Sequence, residues 1–196
     1  MPLLGWAIWK ARHWIPDAVI YVATEHPQVA SYAIGEGCTV FPLTEADVKD
    51  QRDAAGPLAD LMAVSPFRPV VMLDCTFPFA LRSEIERALS DPRPFVRPVL
   101  ARTLHLAEYG NTLSQDLPEQ VILQSGCFVA RRAEPISSDE WLSLDNTYPI
   151  SWISSINIDT PEDLACARWL AKFIKPEDLD DTHERSRMPR FNEGPR

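Results

Sequence analysis

Three triplets in this 196-residue chain gather groups able to bind or transfer charge: Thr24-Glu25-His26, Asp74-Cys75-Thr76 and Asn157-Ile158-Asp159. Each ends an apolar run that reads as a strand. In open α/β sheets ligands sit beyond the carboxyl ends of strands, so these triplets are the residues to weigh first. Carboxylates gathered there can hold a hard divalent cation, which bridges substrate phosphates and offsets charge during transfer. Asp159 has a structural role open to it as well, because a helix start at Pro161 gains from a nearby anion. Asp74 has an ion pair with Arg82 open to it. His26, beside Pro27 at a strand-to-helix junction, reads as a half-exposed turn histidine rather than a catalytic one.

The elements that must position these groups follow from periodicity. Leu4, Ala7, Ile8 and Ala11 recur at helical spacing behind Pro2, so the chain opens with an amphipathic helix. The run 18–23 (AVIYVA) predicts a strand buried on both faces, 27–34 a helix closed by Gly35 and Gly37, and 38–41 a short strand. A polar, helical stretch over 44–63 leads to a strand at 69–73 (PVVML). Ser83 to Glu86 reads as a capping box opening a helix through Leu89. Strands are expected over 95–106, 121–130 and 150–158, with Tyr109-Gly110-Asn111 as a turn and Gly126 interrupting the second. Thr160-Pro161-Glu162-Asp163 caps a final helix carrying Leu164, Ala167, Ala171 and Ile174. Alternating strands and helices predict a three-layer α/β domain with a mostly parallel sheet over 1–174. The mixed charges and prolines of 175–196 predict a disordered or partner-ordered tail.

Composition narrows the partners. The formal net charge of -9 leaves no basic footprint for phosphate chains, so nucleic acid is not an expected partner. Cys38, Cys75, Cys127 and Cys166 lack CxxC spacing and lie among apolar residues, which suits buried thiols in a reducing compartment and not zinc. The apolar stretch 2–9 is too short to cross a bilayer and has no basic residues before it. A cytoplasmic protein without membrane contact is expected. Trp6, Trp9, Trp14, Trp141, Trp152 and Trp169 read as core or interface anchors, Trp152 being the weakest case.

Four segments in order, PLLGWAI (2–8), VIYVATEHPQVASYAIGEGCTVF (19–41), VMLDCTFPF (71–79) and INIDTPEDL (156–164), resemble the cytidylyltransferases that make CMP-sialic acid and CMP-KDO. LPEQVILQSGCFVARR (117–132) is similar to a further stretch of that family. The resemblance implies a Rossmann-like nucleotidyltransferase fold and transfer of CMP from CTP to a sugar acid, with Mg2+ at a carboxylate after the last core strand. Asp159 matches that metal position, and Asn157 stands where the sialic-acid branch has a second aspartate. Asp74 and Thr76 occupy the positions of a base-contacting glutamine and, in the KDO branch, a metal-binding aspartate. The resemblance thus makes Asp159 and Asp74 the catalytic candidates, Asp159 and Asn157 the metal ligands, and Thr24, Glu25, Thr76, Gln124 and Ser125 the substrate-binding candidates. Ser125-Gly126 could equally mark a bulge. It also implies a homodimer through 103–125, a segment that could instead be a surface hairpin.

The sequence departs from the family at its start, where members carry a buried strand and a Gly, Ser, Arg and Lys loop that grips the triphosphate. An N-terminally truncated fold is therefore expected, with three explanations: a start codon inside a longer gene, a complementing chain that supplies the strand, or a sheet closed over the loss. The family's arginine meets Leu43, with Arg52 the nearest substitute. Two other functional readings stand beside the enzyme: a noncatalytic descendant acting as a binding or assembly subunit, and an unrelated Rossmann-like binding domain whose DTPEDL element is only a helix cap.

Overall fold

The computed structural model describes residues 1–44, 69–103, 119–123, 127–130 and 144–180. Helix α1 (Leu3–Trp14) begins at Pro2 and closes with Arg12 and His13 in its last turn, where cations complement the exposed carbonyls. It stops at Ile15, whose successor Pro16 disfavours a helical backbone in the preceding residue. Strand β1 (Tyr21–Thr24), helix α2 (Pro27–Gly35) and strand β2 (Thr39–Pro42) follow, and β1 pairs in parallel with β2. Gly37 takes φ 72° after α2. Cys38 N–H then reaches Ala33 O at 2.9 Å and Gly37 N–H reaches Ile34 O at 2.9 Å. These two bonds satisfy the last carbonyls of α2, and a side chain at Gly37 would strain the backbone that allows them.

The second sheet contains β3 (Val70–Leu73), β4 (Phe95–Thr103), β5 (Glu119–Leu123), β6 (Cys127–Ala130) and β7 (Thr147–Pro149). Its order is β3-β6-β4-β5, with β7 parallel to β4 and the pairs β3/β6, β4/β6 and β4/β5 all antiparallel. The sheet is mixed, not mostly parallel: an apolar run reports burial, whereas pairing direction depends on where each connection returns the chain. Nor are the two apolar runs buried on both faces. Val70 to Leu73 are all half-buried, and Ala23 in β1 is exposed.

Residues 150–158 form turns and irregular backbone instead of the expected strand, the strand here being the short β7. Three serines explain the difference by offering local hydrogen bonds that compete with a ladder. Ser154 N–H donates to Ser151 Oγ at 3.3 Å, and Ser155 Oγ donates to Trp152 O at 2.6 Å. Helix α3 (Arg82–Ser90) begins a residue before the expected Ser83, with Leu81 as N-cap and no side-chain cap. The capping box there does not form: Glu86 pairs with Arg82 at 2.8 Å, and Glu84 turns inward. Helix α4 (Pro161–Leu170) does carry the capping box of Thr160 and Asp163.

One core cluster joins Trp14, Phe79, Leu81, Ile85, Ala167 and Leu179, and another joins Ile8, Val22, Ala33 and Cys38. Helix α1 contributes to both, so it ties the two sheets together. Leu179 belongs to α5 (Pro176–Leu179), and Asp180 pairs with Arg82 at 3.1 Å, so the chain still packs on the domain at a point where a tail was expected. Cys166 is exposed, contrary to the buried thiol expected there, and Trp152 and Trp169 are exposed rather than in the core, while Cys38 is buried and Trp6, Trp9 and Trp14 line the core. The helix expected over 44–63 beyond Thr44, the turn at Tyr109-Gly110-Asn111, Trp141, and residues 104–118 and 124–125 of the expected dimer segment fall outside the described residues.

Candidate functional site

The loop after β3 is shaped by its own side chains. Asp74 Oδ1 accepts Thr76 N–H at 3.0 Å and Thr76 Oγ1–H at 2.9 Å, folding the backbone into a tight turn. Asp74 thus makes these bonds while Arg82, its expected ion-pair partner, engages Glu86 and Asp180. Helix α1 then fixes the far side of the loop. Lys10 Nζ donates to Phe77 O at 3.0 Å and Pro78 O at 3.3 Å, and Trp6 Nε1 donates to Pro78 O at 2.6 Å. Lys10 is only 2% exposed. A buried ammonium is costly unless hydrogen-bonded, and these carbonyls offset part of that cost. Sequence reasoning passed over Lys10, although its place three residues after Ala7 and four before Trp14 puts it on the buried face of α1. Burial pushes the Cys75 thiol above its ordinary range and the neighbouring Asp74 adds to this, so Cys75 is not an activated nucleophile.

The third triplet is fastened to this loop. Ile158 N–H donates to Thr76 O at 3.0 Å, which holds Asn157 and Asp159 beside the Asp74 turn. Asn157 Nδ2 donates to Asp159 Oδ2 at 2.6 Å. Asp163 Oδ2 accepts the N–H groups of Asp159 at 3.2 Å and Thr160 at 2.9 Å, so the start of α4 sets the backbone of Asp159. The Thr160 hydroxyl, followed by those two N–H groups, holds the Asp163 carboxyl below its usual range.

Among the described residues no group of three or more His, Cys, Asp or Glu side chains is placed to hold a metal ion. The side chains of Asn157 and Asp159 supply one amide and one carboxylate at 157–159. Asn157 Oδ1 is buried without a hydrogen-bond partner. Turning the amide over would direct this carbonyl, in place of Nδ2, toward Asp159 Oδ2, an arrangement of two oxygens that a cation stabilises. One carboxylate and one carbonyl suit an ion that draws its remaining ligands from phosphates and water.

The first triplet stands at the end of β1, in the other sheet. Thr24 is buried, its Oγ1 accepts His26 N–H at 3.0 Å, and its carbonyl accepts Leu43 N–H at 3.2 Å. Glu25 is exposed. His26 caps α2, its Nδ1 accepting Gln28 N–H at 3.3 Å, in keeping with a turn histidine. Asp74, Thr76, Asn157 and Asp159 are therefore brought together, while Thr24 bonds within its own junction in the other sheet and Glu25 is exposed there. Gln124, Ser125 and Arg52 lie outside the described residues.

A solved structure of CMP:2-keto-3-deoxy-manno-octonic acid synthetase, complexed with CTP, superposes on this chain with a TM-score of 0.58. The chain shares that fold. The match covers 86% of this chain and 88% of the synthetase at 15% identity. No family model matches the sequence. No curated protein matches it.

Proposed function

We propose that this chain is a cytidylyltransferase-like nucleotide-binding protein whose site is formed by Asp74, Thr76, Asn157 and Asp159. The observation that carries the reading is the bond from Ile158 to Thr76, which gathers these groups at the end of β3 in a fold shared with a CTP-bound synthetase. In this reading the substrates are CTP and a sugar acid of the sialic acid or KDO type. Magnesium, held by Asp159 with Asn157, would supply charge neutralisation on the phosphates. Asp74 accepts a hydrogen bond from the cytosine amino group, and Thr76 together with Gln124 and Ser125 completes the nucleotide contacts. Thr24 and Glu25, at the end of β1, are the remaining substrate-binding candidates of this reading.

A second reading, a noncatalytic binding or assembly subunit, has its own support. Asn157 removes one charge from the cation site, and the described strands fall into two separate sheets, β1-β2 and the one begun by β3. In the first reading the protein partner is a second copy of this chain or a complementing chain. The test is a pyrophosphate-release assay with CTP, magnesium, and either sialic acid or KDO. Release that depends on one sugar acid and vanishes in Asp159→Ala supports the enzyme. No release, from protein that still binds CTP, supports the noncatalytic subunit.

A further inference from the structure

A cavity of about 530 Å³ opens between the N-terminal end of α1 and the last two helices. It falls within the range of about 300–1,000 Å³ typical of small-molecule sites. Its lining is chiefly apolar, including Trp6, Phe79, Ala171 and Leu179, with Arg168 and Lys175 as its charged members and no Asp or Glu. Neither cation belongs to an ion pair among the described residues. Two such cations in the lining of an otherwise apolar cavity favour a ligand with a negative headgroup. The Trp6 indole in the wall is held rigidly, bonded to Pro78 O and stacked on Trp9 with ring centroids 4.7 Å apart. A preformed apolar wall of this kind binds without first paying to order itself.

We infer that this cavity binds a medium-chain aliphatic carboxylate, its hydrocarbon chain against Trp6, Phe79 and Leu179 and its carboxylate between Arg168 and Lys175. Long basic side chains suit this arrangement, because their stems cover apolar surface while their heads stay in water. The cavity adjoins the proposed nucleotide site, since Ile158 lines it, but Asp74, Thr76, Asn157 and Asp159 do not, and the inference does not depend on nucleotide binding.

The test is calorimetric titration of the full chain with decanoate and, separately, with 1-decanol. Single-site decanoate binding is expected, weakened at least fivefold in the double variant Arg168→Gln/Lys175→Gln, with decanol binding unchanged. Ala171→Trp, which fills the cavity from the exposed C-cap position of α4, should abolish both, and unaltered urea midpoints will show that the variants fold. The absence of decanoate binding by the folded wild-type chain overturns the inference. So does binding that survives both the charge and the cavity-filling substitutions. Either failure leaves the CTP reading untouched.

Discussion

Ile158 N–H and Thr76 O meet at 3.0 Å, and through this one bond the turn made by Asp74 and the pair Asn157 and Asp159 become neighbours. The residues are 82 apart in sequence, so neither segment could form the site alone. What holds Thr76 in place is in turn α1, through Lys10 and Trp6.

Replacing Lys10 by methionine should therefore loosen the site. The carbonyl of Phe77 loses the Lys10 ammonium while Pro78 O keeps the Trp6 indole, a loss worth about 1–3 kcal/mol. Urea denaturation should show that loss, and CTP affinity should fall with it. Unchanged stability and affinity in Lys10→Met would show that the loop holds its shape without α1.

Glu84 gives the fold a pH dependence. Burial pushes its carboxyl above the usual range, opposed by hydrogen bonds from Ser154 and Ser151, and Ser151 N–H donates to its Oε1 at 2.6 Å. A raised carboxyl pKa means the folded state holds the proton longer than the unfolded one. Stability from this group is full below the unfolded value and is lost as pH rises through the folded one. Glu84→Gln keeps the acceptor for Ser151 and removes the titration, so its stability should fall less than the wild type's as pH rises from 4 upward. Parallel stability profiles would contradict this.

Thr160 caps the helix that positions Asp159. Its hydroxyl accepts Asp163 N–H at 3.2 Å, and Thr160→Ala should cost about 1 kcal/mol, the usual worth of such a cap. Thr160→Ser, which keeps the hydroxyl, should restore the difference in thermal denaturation.

Thiol accessibility separates the cysteines. Cys166 is exposed on α4, whereas Cys38 is buried and burial raises its thiol. A water-soluble disulfide reagent should label Cys166 fastest in native protein, and Cys166→Ser should remove that fast phase. A fast phase that persists in the variant would place the reactive thiol elsewhere.

Much of this was legible in the sequence because it rests on local chemistry. Helix α1, α2 with its Gly37 ending, the β1-α2-β2 unit and the Thr160 to Asp163 cap all follow from residues within a turn of one another. What was not legible depends on distant partners. Arg82 finds Asp180 and leaves Asp74 unpaired with it, Glu84 is drawn to Ser151, and β6 returns antiparallel between β3 and β4. The serines at 151, 154 and 155 were a readable warning against a strand, since side chains that bond their own backbone favour turns. The triplets were recognised individually, but that the second and third meet, while the first keeps to its own sheet, is a property of packing that no spacing encodes.

The central claim is that residues 74–76 and 157–159 form a cytidine nucleotide site. Calorimetric titration of the purified chain with CTP and magnesium, with ATP and the Asp159→Ala variant as controls, tests it most directly. Selective CTP heat that disappears in Asp159→Ala is expected. Absence of heat with any nucleotide, or equal heats for CTP and ATP that Asp159→Ala leaves unchanged, would contradict it.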